Sequence, residues 1–530
     1  MPKIILLRFL YSLIKIMSSQ LHKNIFDLSL SSVLLVLALL AGVNILAAQK
    51  YIYLDLTEEE IYTTSEATKD ILKNLNKEVS VKFYISKDLP VDLENVRTRL
   101  EDLMNQYQDI AGAKLKIAYE APENNQEKVM ELAQKGIPQM QFNVIAKDKY
   151  EVKQGFFGAE IIAGEGDAIV REALPVIQSV ANIEYDFISA VYSVSRESKE
   201  NLAFLEGHGE KQVAIAGLEK YYNVSVLKIM SVGDKKGFYY EKAAATEEEK
   251  PEQVFVNPKT LIIAGPSAEI TKEEIAMIND YVKNGGNLVV LTEMVNVDKQ
   301  NNLNAAPVKN NINELVKNYG VTINEDLIYD RYNSSITYSQ GFFTVSKPYP
   351  FFVSAQKENF GDSASLSGLQ AIIFPWVSSL TLADSADYAA RSLVASSNQS
   401  DSVSGAFNLL PDAALPAPKG VKKTIVAFSQ PKAEDSKSGL VYVIGGSEFV
   451  SSNFIGSAPD NKTFFINLID SVSNSVNLSS IRAKSIVDRP IKDLDETEKN
   501  YWKFISIFGA ALLLDICGFF RIMKRKKANK

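Results

Sequence analysis

The feature that most constrains this chain is an uncharged, apolar segment near its start. Residues 28–48 read LSLSSVLLVLALLAGVNILAA, twenty-one residues without a charge. A helix of about 20 apolar residues can cross a bilayer, because it satisfies its own backbone polar groups within the hydrocarbon core. A buried core helix or a cleavable signal peptide would also be apolar, but the length favours a membrane span. We therefore predict a transmembrane helix over residues 28–48.

A second apolar segment lies close to the other end. Residues 501–520 begin with the aromatic pair Tyr501 and Trp502, which is typical of a membrane interface, and continue with a run whose acidic residue is Asp515. A carboxylate inside a span is costly, so Asp515 either contacts a partner helix or reaches towards the basic interface near Arg521. We predict a transmembrane helix over residues 501–520 and treat Asp515 as a candidate intramembrane contact.

Basic residues flank both predicted spans on their outer sides. Four lie in residues 1–23 and six in residues 521–530, and neither segment contains an acidic residue. The positive-inside rule then predicts a cytoplasmic N-terminal segment, 1–27, and a basic cytoplasmic tail, 521–530. The intervening body is expected on the periplasmic or extracellular side of the cell membrane.

The charge of the remaining chain excludes one class of partner. Of the 57 basic residues, ten lie in the two ends, which leaves 47 against all 64 acidic residues. A nucleic-acid-binding protein needs a basic surface, so we expect no nucleic-acid partner. The sole cysteine, Cys517, lies in the second predicted span, so the body cannot form a disulfide and must be stabilised by its hydrophobic core.

The first part of the body, residues 51–180, has the pattern of a small α/β domain of thioredoxin-like shape. Apolar periodicity alternates between strands and helices, with strands over 79–85, 114–119 and 141–146 and helices over 93–110 and 126–134. Gly136-Ile137-Pro138 stands before the third strand, where that fold often has a cis-proline turn. No Cys-x-x-Cys motif is present, so this domain is expected to act as a scaffold.

The second part, residues 181–485, is predicted to be a Rossmann-like or amidotransferase-like domain built on a parallel sheet. Buried strands over 260–264 and 287–292 flank a helix that begins with the capping box Thr271-x-x-Glu274. Elsewhere the pattern is less regular. There we predict a helix over 211–222, an exposed charged loop over 231–257, and exposed serine-rich turns around a few short strands over 361–405.

The turn Glu206-Gly207-His208-Gly209-Glu210 is the cluster whose residue types suggest a site. It follows an apolar strand and precedes a predicted helix, and open α/β sheets bind ligands at such strand ends. His208 could donate, accept or ligate with Glu206 or Glu210 beside it; alternatively, the glycines serve the turn geometry and His208 packs or caps. A metal centre is disfavoured, because the body has no cysteine and no second histidine. The chain also lacks a P-loop and a Gly-x-Ser-x-Gly elbow.

Several stretches together resemble the gliding-motility-associated ABC transporter auxiliary proteins, which are sometimes described as substrate-binding-like components. The matching segments, of which FLEGHGE is the most specific, are 54–75, 79–90, 204–210, 281–293 and 440–449. The resemblance implies an extracytoplasmic body that acts beside a separate ATPase and a separate permease. It supplies no catalytic residues, and we expect no cofactor.

The expected function is therefore that of a membrane-anchored, non-enzymatic auxiliary subunit of an ABC transport system. Two hypotheses from other classes use the turn from Glu206 to Glu210. One is a membrane-tethered hydrolase or glycan-processing enzyme, and the other is a receptor that binds a soluble ligand at the strand ends.

Overall fold

The computed structural model describes residues 63–473 apart from short gaps, together with residues 478, 481, 497–509 and 518. The gaps fall at 88, 123–125, 147–148, 165, 167–168, 178–182, 197, 216, 234, 243–251, 300–302, 341–342, 406–407, 434 and 457. The predicted span 28–48, both predicted cytoplasmic segments and Asp515 lie outside the described residues. Of the predicted span 501–520, residues 501–509 are helical. Within the described residues, no helix is both long and apolar enough to cross a membrane.

The helices and strands of the described chain follow one another in a mixed order. The α-helices are α1 (Glu66–Lys73), α2 (Val91–Ala111), α3 (Gln126–Gln134), α4 (Ile183–Ser195), α5 (Lys272–Lys283), α6 (Ile312–Val316), α7 (Ser452–Ile455) and α8 (Pro459–Ser473), with a further helix over 497–509. The strands up to the main sheet are β1 (Val79–Ile85), β2 (Leu115–Glu120), β3 (Met140–Ala146), β4 (Lys149–Gly155), β5 (Phe157–Ala163) and β6 (Val170–Leu174). The others are β7 (Glu200–Leu205), β8 (Tyr222–Val232), β9 (Lys235–Lys242), β10 (Glu252–Phe255), β11 (Thr260–Ala264), β12 (Asn287–Leu291), β13 (Val295–Asp298), β14 (Asn304–Pro307), β15 (Val321–Ile323), β16 (Asp326–Asp330), β17 (Asn333–Gln340), β18 (Phe343–Gln356), β19 (Ala371–Pro375), β20 (Leu380–Leu382), β21 (Tyr388–Ala395), β22 (Ser400–Ser404), β23 (Thr424–Pro431) and β24 (Val441–Ile444).

The N-terminal part is a four-stranded sheet with the order β2-β1-β5-β6. Strands β1 and β2 are parallel, whereas β5 is antiparallel to β1 and β6 is antiparallel to β5. Helices α2 and α4 bury apolar side chains against this sheet. At the start of α1, Ser65 is the N-cap, and the Ser65 backbone N–H donates a hydrogen bond to Glu184 of α4 at 2.8 Å.

This part differs from the thioredoxin-like pattern in two respects. The segment 141–146 does form a strand, but β3 pairs with β4 in a separate hairpin, and the third strand of the sheet is β5. Strand periodicity does not identify the partner of a strand, and β4 supplies the nearest one. Every peptide bond among the described residues is trans, so Pro138 does not form a cis-proline turn. The thioredoxin-like assignment stays a prediction, as do the domain bounds 51–180 and 181–485.

The second part is built on an eleven-stranded sheet whose centre is parallel. The parallel strands lie in the order β8-β7-β11-β12-β24, and antiparallel strands extend the sheet on both sides. Helix α5 covers one face of the sheet and α8 covers the other. The capping box of α5 forms as predicted, between Thr271 and Glu274.

Three sequence predictions for this part are wrong. The described residues of 211–222 form no α-helix, only a 3₁₀ turn over Leu218–Lys220, and Gly217 before that turn has a left-handed conformation. The segment 231–257 is not wholly a loop, since β9 and β10 extend the sheet, and three consecutive residues of β9, 237–239, are buried. Finally, several serines of 361–405 are buried, because their hydroxyls bond to neighbouring polar groups; they are Ser365, Ser378, Ser379, Ser396, Ser397 and Ser400.

Candidate functional site

The order of the parallel strands in the sheet reverses between β7 and β11: the next strand in sequence after β7 lies on one side of it, and the later strands lie on the other side. Numbered along the chain, the five strands lie in the order 2-1-3-4-5, so the connections leaving β7 and β11 run to opposite sides of the sheet. Sheets of this kind form a crevice at that point, outside the carboxyl ends of the strands. The turn after β7 is the predicted site turn, 206–210, and the turn after β11 is 265–267. The structure therefore places the predicted turn at the switch point of the sheet.

The two turns are bonded to each other. The carbonyl oxygen of His208 accepts from the backbone N–H groups of Ser267 and Ala268, each at 2.9 Å. The Ser267 hydroxyl donates to the carbonyl oxygen of Gly209 at 3.2 Å. The backbone N–H of Lys211 then donates to the carbonyl oxygen of Ala264 at 2.7 Å. These bonds fix the position of the His208 backbone above the ends of both strands.

The His208 ring lies between two carboxylates. Its Nδ1 is 3.0 Å from Oε1 of Glu210, and its Nε2 is 3.3 Å from Oε2 of Glu274. Glu210 also accepts from the His208 backbone N–H at 2.7 Å, and Glu274 accepts from the Thr271 hydroxyl at 2.7 Å as part of the capping box. The residue is buried, with 6% of its surface exposed. We call His208, Glu210 and Glu274 the histidine clamp, because they join the turn after β7 to the start of α5.

The charges of the clamp stabilise one another. The hydrogen bond from Glu210 is the main cause of a raised His208 pKa, and Glu274 adds to it against the effect of burial. Burial by itself would raise the pKa of Glu210, but its hydrogen bonds from His208 outweigh burial and lower it. The pKa of Glu274 is lowered too, because the Thr271 and His208 hydrogen bonds exceed the cost of burial. A doubly protonated imidazole can donate to both carboxylates, which leaves neither ring nitrogen free.

The two glycines of the turn have different roles. Gly207 and Gly209 have φ angles of 129° and 69°, which side chains rarely adopt. A Cβ on Gly209 would clash with the Ser267 hydroxyl, whereas a Cβ on Gly207 would meet nothing within 4 Å. Gly209 thus permits the close approach of the two turns, and Gly207 serves only the backbone geometry.

The remaining predicted site residues do not join the clamp. Glu206 is exposed, its backbone N–H donates to the carbonyl oxygen of Leu227 at 2.9 Å, and its side chain lines a groove of about 860 Å³ beside β8. Of the two candidate carboxylates, the one beside the imidazole is therefore Glu210.

A second cluster of charges at the strand ends was not predicted from the sequence. The ammonium group of Lys211 contacts Glu293, which follows β12, and lies 2.9 Å from Glu448, which follows β24. Glu448 also pairs with Lys299, while Glu293 accepts from the backbone N–H and the hydroxyl of Ser447 at 2.8 Å each. We call Lys211, Glu293, Glu448 and Lys299 the strand-end ion cluster.

Electrostatics holds this cluster in its charged form. Burial disfavours the ammonium group of Lys211, but the charges of Glu293 and Glu448 raise its pKa above the usual value. Burial would raise the pKa of Glu448, but the charges of Lys211 and Lys299 lower it. Each acidic residue stands shortly after an apolar strand, NLVVLT or LVYVIGGS, and this position was the signal available in the sequence.

A cleft of about 380 Å³ opens beside the cluster. Its walls come from the turn after β11, the segment after β12 and the end of β14, and its polar lining includes Lys211, Ser267, Asn296 and Lys309. Such a cleft can hold a small polar molecule by hydrogen bonds. Across the described residues, no three His, Cys, Asp or Glu side chains are grouped so that they could hold a metal ion.

The fold and the site define an α/β protein whose parallel sheet carries a bonded turn pair and an ion cluster at its switch point. The family described as "ABC-type uncharacterized transport system" matches residues 199–468, which is about half of the chain and includes both features. The chain belongs to this family, and an auxiliary role in an ABC-type transport system follows from that membership. A "Domain of unknown function" model matches residues 58–162.

Known proteins similar to this chain include one relative that spans most of its length. An "Uncharacterized protein" of Borreliella burgdorferi (strain B31) is 25% identical over 500 residues, which cover 90% of this chain and 94% of the relative. Among solved structures, the N-terminal domain of mmIFT52 is 16% identical with a TM-score of 0.33, covering 52% of this chain and 98% of that chain. The exo-beta-1,4-mannosidase Op5Man5 from Opitutaceae bacterium strain TAV5 is 8% identical with a TM-score of 0.20, and the match covers 75% of this chain and 50% of the mannosidase chain. At these TM-scores, neither structure supports an inference about fold or function.

Proposed function

We propose that this protein is a membrane-anchored, extracytoplasmic auxiliary subunit of an ABC transport system. Transmembrane helices over 28–48 and 501–520 hold it in the cell membrane with both termini in the cytoplasm. The body between them combines a thioredoxin-like part with a Rossmann-like or amidotransferase-like part. Family membership supports the transport role. The basic flanks of the two apolar segments support the orientation.

ATP hydrolysis and substrate passage belong to other subunits in this proposal. The sequence contains no P-loop, so the energy must come from a separate ATPase. Two spans are too few to enclose a path for a solute, so a separate multi-span permease must provide it. The association with gliding motility is part of the same proposal, and a deletion strain that glides normally would argue against it.

The subunit acts without catalysis, and the histidine clamp is the observation that carries this part. A general base needs a free nitrogen, but both His208 ring nitrogens lie within 3.3 Å of a carboxylate. The clamp connects β7 to α5, which is a structural role. The structure therefore favours a scaffold over a hydrolase centred on His208.

The cleft beside the strand-end ion cluster favours a second candidate, a receptor for a small polar ligand. Its volume of about 380 Å³ suits a small molecule, and the exposed amine of Lys309 could contact an anionic group. Thermal stabilisation of the full chain by a ligand, with loss of that effect in Lys309→Met, would support the receptor.

Affinity purification of the full chain from its native membranes tests the main proposal. We expect a P-loop ATPase and a multi-span permease to co-purify in fixed ratio, and both to be retained in His208→Gln. Purification of the chain alone under mild detergent and after cross-linking would contradict the auxiliary role. Release of the chain from membranes by carbonate washing would contradict the anchoring.

A further inference from the structure

Strands β8 and β9 separate part-way along their length, so the sheet is forked. Their register ends where Lys228 lies opposite Tyr239. Beyond that pair, β9 continues as the partner of β10, while β8 is paired with β7 over residues 222–227. Along those residues, no strand of the described chain pairs with the other edge of β8. We call the gap between residues 224–226 of β8 and 239–241 of β9 the sheet fork.

Backbone groups of β8 point into the sheet fork at alternate residues. The carbonyl oxygen of Leu227 accepts from the backbone N–H of Glu206 at 2.9 Å, so Leu227 bonds towards β7. Successive strand residues direct their N–H and C=O groups to opposite edges of the strand. The N–H and C=O groups of Val224 and Val226 therefore point away from β7, into the fork.

The wall formed by β9 has the same property. The carbonyl oxygen of Phe238 accepts from the backbone N–H of Val256 at 2.9 Å, on the side of β10. The backbone groups of Tyr239 and Glu241 therefore point to the opposite edge, towards β8. Tyr239 pairs there with Lys228, whereas no strand residue of the described chain pairs with Glu241 on that edge. Both walls thus direct main-chain donors and acceptors into one space.

The sheet fork opens into the groove of about 860 Å³ beside β8. Residues 224–226 and 239–241 all line this groove. Side chains of consecutive strand residues point to opposite faces, so a groove that reaches all of them lies at the strand edges and not on one face. Val226 is 53% exposed and Phe255, on β10, is 58% exposed, so the groove also offers apolar contacts.

The charged side chains of the groove are mostly acidic. Glu206 and Glu241 contribute two exposed carboxylates, and Lys228 contributes one exposed ammonium group. Glu241 also accepts from the side-chain amide of Gln253 at 3.0 Å, which fixes its position beside the fork. A ligand that carries basic side chains would complement this balance of charge.

We propose that the sheet fork binds an extended, basic segment of another protein as an added β-strand. The main chain of this segment bonds to Val224 and Val226, and its basic side chains pair with Glu206 and Glu241. A strand carries donors and acceptors at the same spacing as β8, which favours a peptide over a glycan. An open strand edge with exposed apolar side chains is also the usual template for pairing with another chain. The proposal goes beyond the transport role and does not depend on it.

Hydrogen exchange on the full chain in detergent, read at single residues by electron-transfer fragmentation, tests the proposal. The probe is the capped peptide acetyl-KVTVKVT-amide at millimolar concentration. One control is the same peptide with alternate amides N-methylated, which keeps the side chains but removes main-chain donors. Acetyl-EVTVEVT-amide tests the charge, and maltohexaose tests a glycan as the ligand.

We expect alternating protection along β8. In the chain alone, the amides of Val224 and Val226 should exchange faster than those of Ser225 and Leu227, which face β7. The basic peptide should slow exchange at Val224 and Val226 about tenfold, as one added main-chain hydrogen bond would. The acidic peptide should slow it less, and the N-methylated peptide and maltohexaose should leave it unchanged.

A proline variant removes one donor of the fork. Val226→Pro should abolish the slowing at Val224 by the basic peptide, while Ser225 and Leu227 keep their protection. Gln253→Pro is the matched control, because the Gln253 N–H points to the outer edge of β10, and it should keep the full effect of the peptide. If Val226→Pro loses protection at Leu227, local unfolding has occurred and the N-methylated peptide decides the question.

Three results would overturn the inference. Exchange at Val224 and Val226 as slow as at Ser225 and Leu227 in the chain alone would show that the edge is already covered. No slowing by the basic peptide, or equal slowing by its N-methylated form, would show that the fork does not bind a main chain. Slowing by maltohexaose without slowing by the peptide would assign the groove to a glycan. Co-purification with an ATPase and a permease is measured separately, so none of these results decides the proposed function.

Discussion

Replacing His208 by glutamine should loosen the connection between the turn after β7 and the start of α5. The imidazole contacts Glu210 at 3.0 Å and Glu274 at 3.3 Å. Hydrogen bonds to charged groups contribute about 1.5–3 kcal/mol each. The contact to Glu274 is the weaker one, because it is longer and that carboxylate keeps its bonds from Thr271. We expect His208→Gln to lower the free energy of local opening by about 2–4 kcal/mol.

Hydrogen exchange measured by mass spectrometry on the full chain in detergent reads this opening directly. A change of about 1.4 kcal/mol is tenfold in an opening equilibrium, so amides of residues 206–211 and 271–276 should exchange about 30- to 1000-fold faster. Glu206→Gln is the matched control, because that exposed side chain lines the groove beside β8 and not the clamp. Exchange in His208→Gln within a few-fold of wild type would refute the clamp.

The same clamp should have a defined pH window. The His208 pKa is raised above 6.5, so its contribution to stability is complete below about 6.5 and is lost as the pH rises through the raised value. The pKa values of Glu210 and Glu274 are lowered below 4.5, so their contribution is present above about 4.5 and is lost as the pH falls through the lowered values. Protection of residues 206–211 in wild type should therefore be greatest between about pH 4.5 and 6.5. Protection in wild type that changes with pH in the same way as in His208→Gln would contradict this assignment.

Two further predictions concern the strand ends. Lys211→Met should lower the free energy of unfolding by about 3–5 kcal/mol in urea titrations, because it leaves the carboxylates of Glu293 and Glu448 with too little positive charge beside them. Lys309→Met, at the same cleft, should change the free energy of unfolding by less than about 0.5 kcal/mol. Equal urea midpoints for the two variants would contradict the ion cluster. Gly209→Ala should lower the thermal midpoint more than Gly207→Ala, because only the former meets the Ser267 hydroxyl, and a smaller loss in Gly209→Ala than in Gly207→Ala would refute the close approach of the two turns.

Local signals account for the parts of the fold that could be predicted. The strand 260–264 has the predicted bounds and α5 begins at the predicted capping box, because an apolar run and a capping box each depend on only a few neighbouring residues. The segment 211–222 has helix-forming residues but is held by distant partners instead. One example is the hydrogen bond from the Ala214 backbone N–H to the carbonyl oxygen of Val450 at 3.0 Å.

The sequence predicted where the candidate site lies in the fold, but not which residues contact one another there. The position of His208 after an apolar strand was enough to locate the turn at the sheet edge. The sequence predicts Glu274, the partner of His208, only as part of the helix capping box. Lys211 and Glu448, which form an ion pair, are separated by 237 residues in the sequence. Such pairs depend on the order of the strands in the sheet, which periodicity does not contain. The burial of serines such as Ser378, whose hydroxyl donates to the Asp326 carbonyl oxygen at 2.9 Å, has the same cause.

The side of the membrane that the body occupies is the most direct test of the proposed function. Cys517 is the chain's sole cysteine, so Cys517→Ser gives a background in which a single new thiol can be labelled. In intact spheroplasts, a membrane-impermeant maleimide should label Lys309→Cys on the body before lysis and Lys530→Cys on the basic tail only after lysis. Labelling of Lys530→Cys before lysis, with Lys309→Cys protected until lysis, would contradict an extracytoplasmic auxiliary subunit.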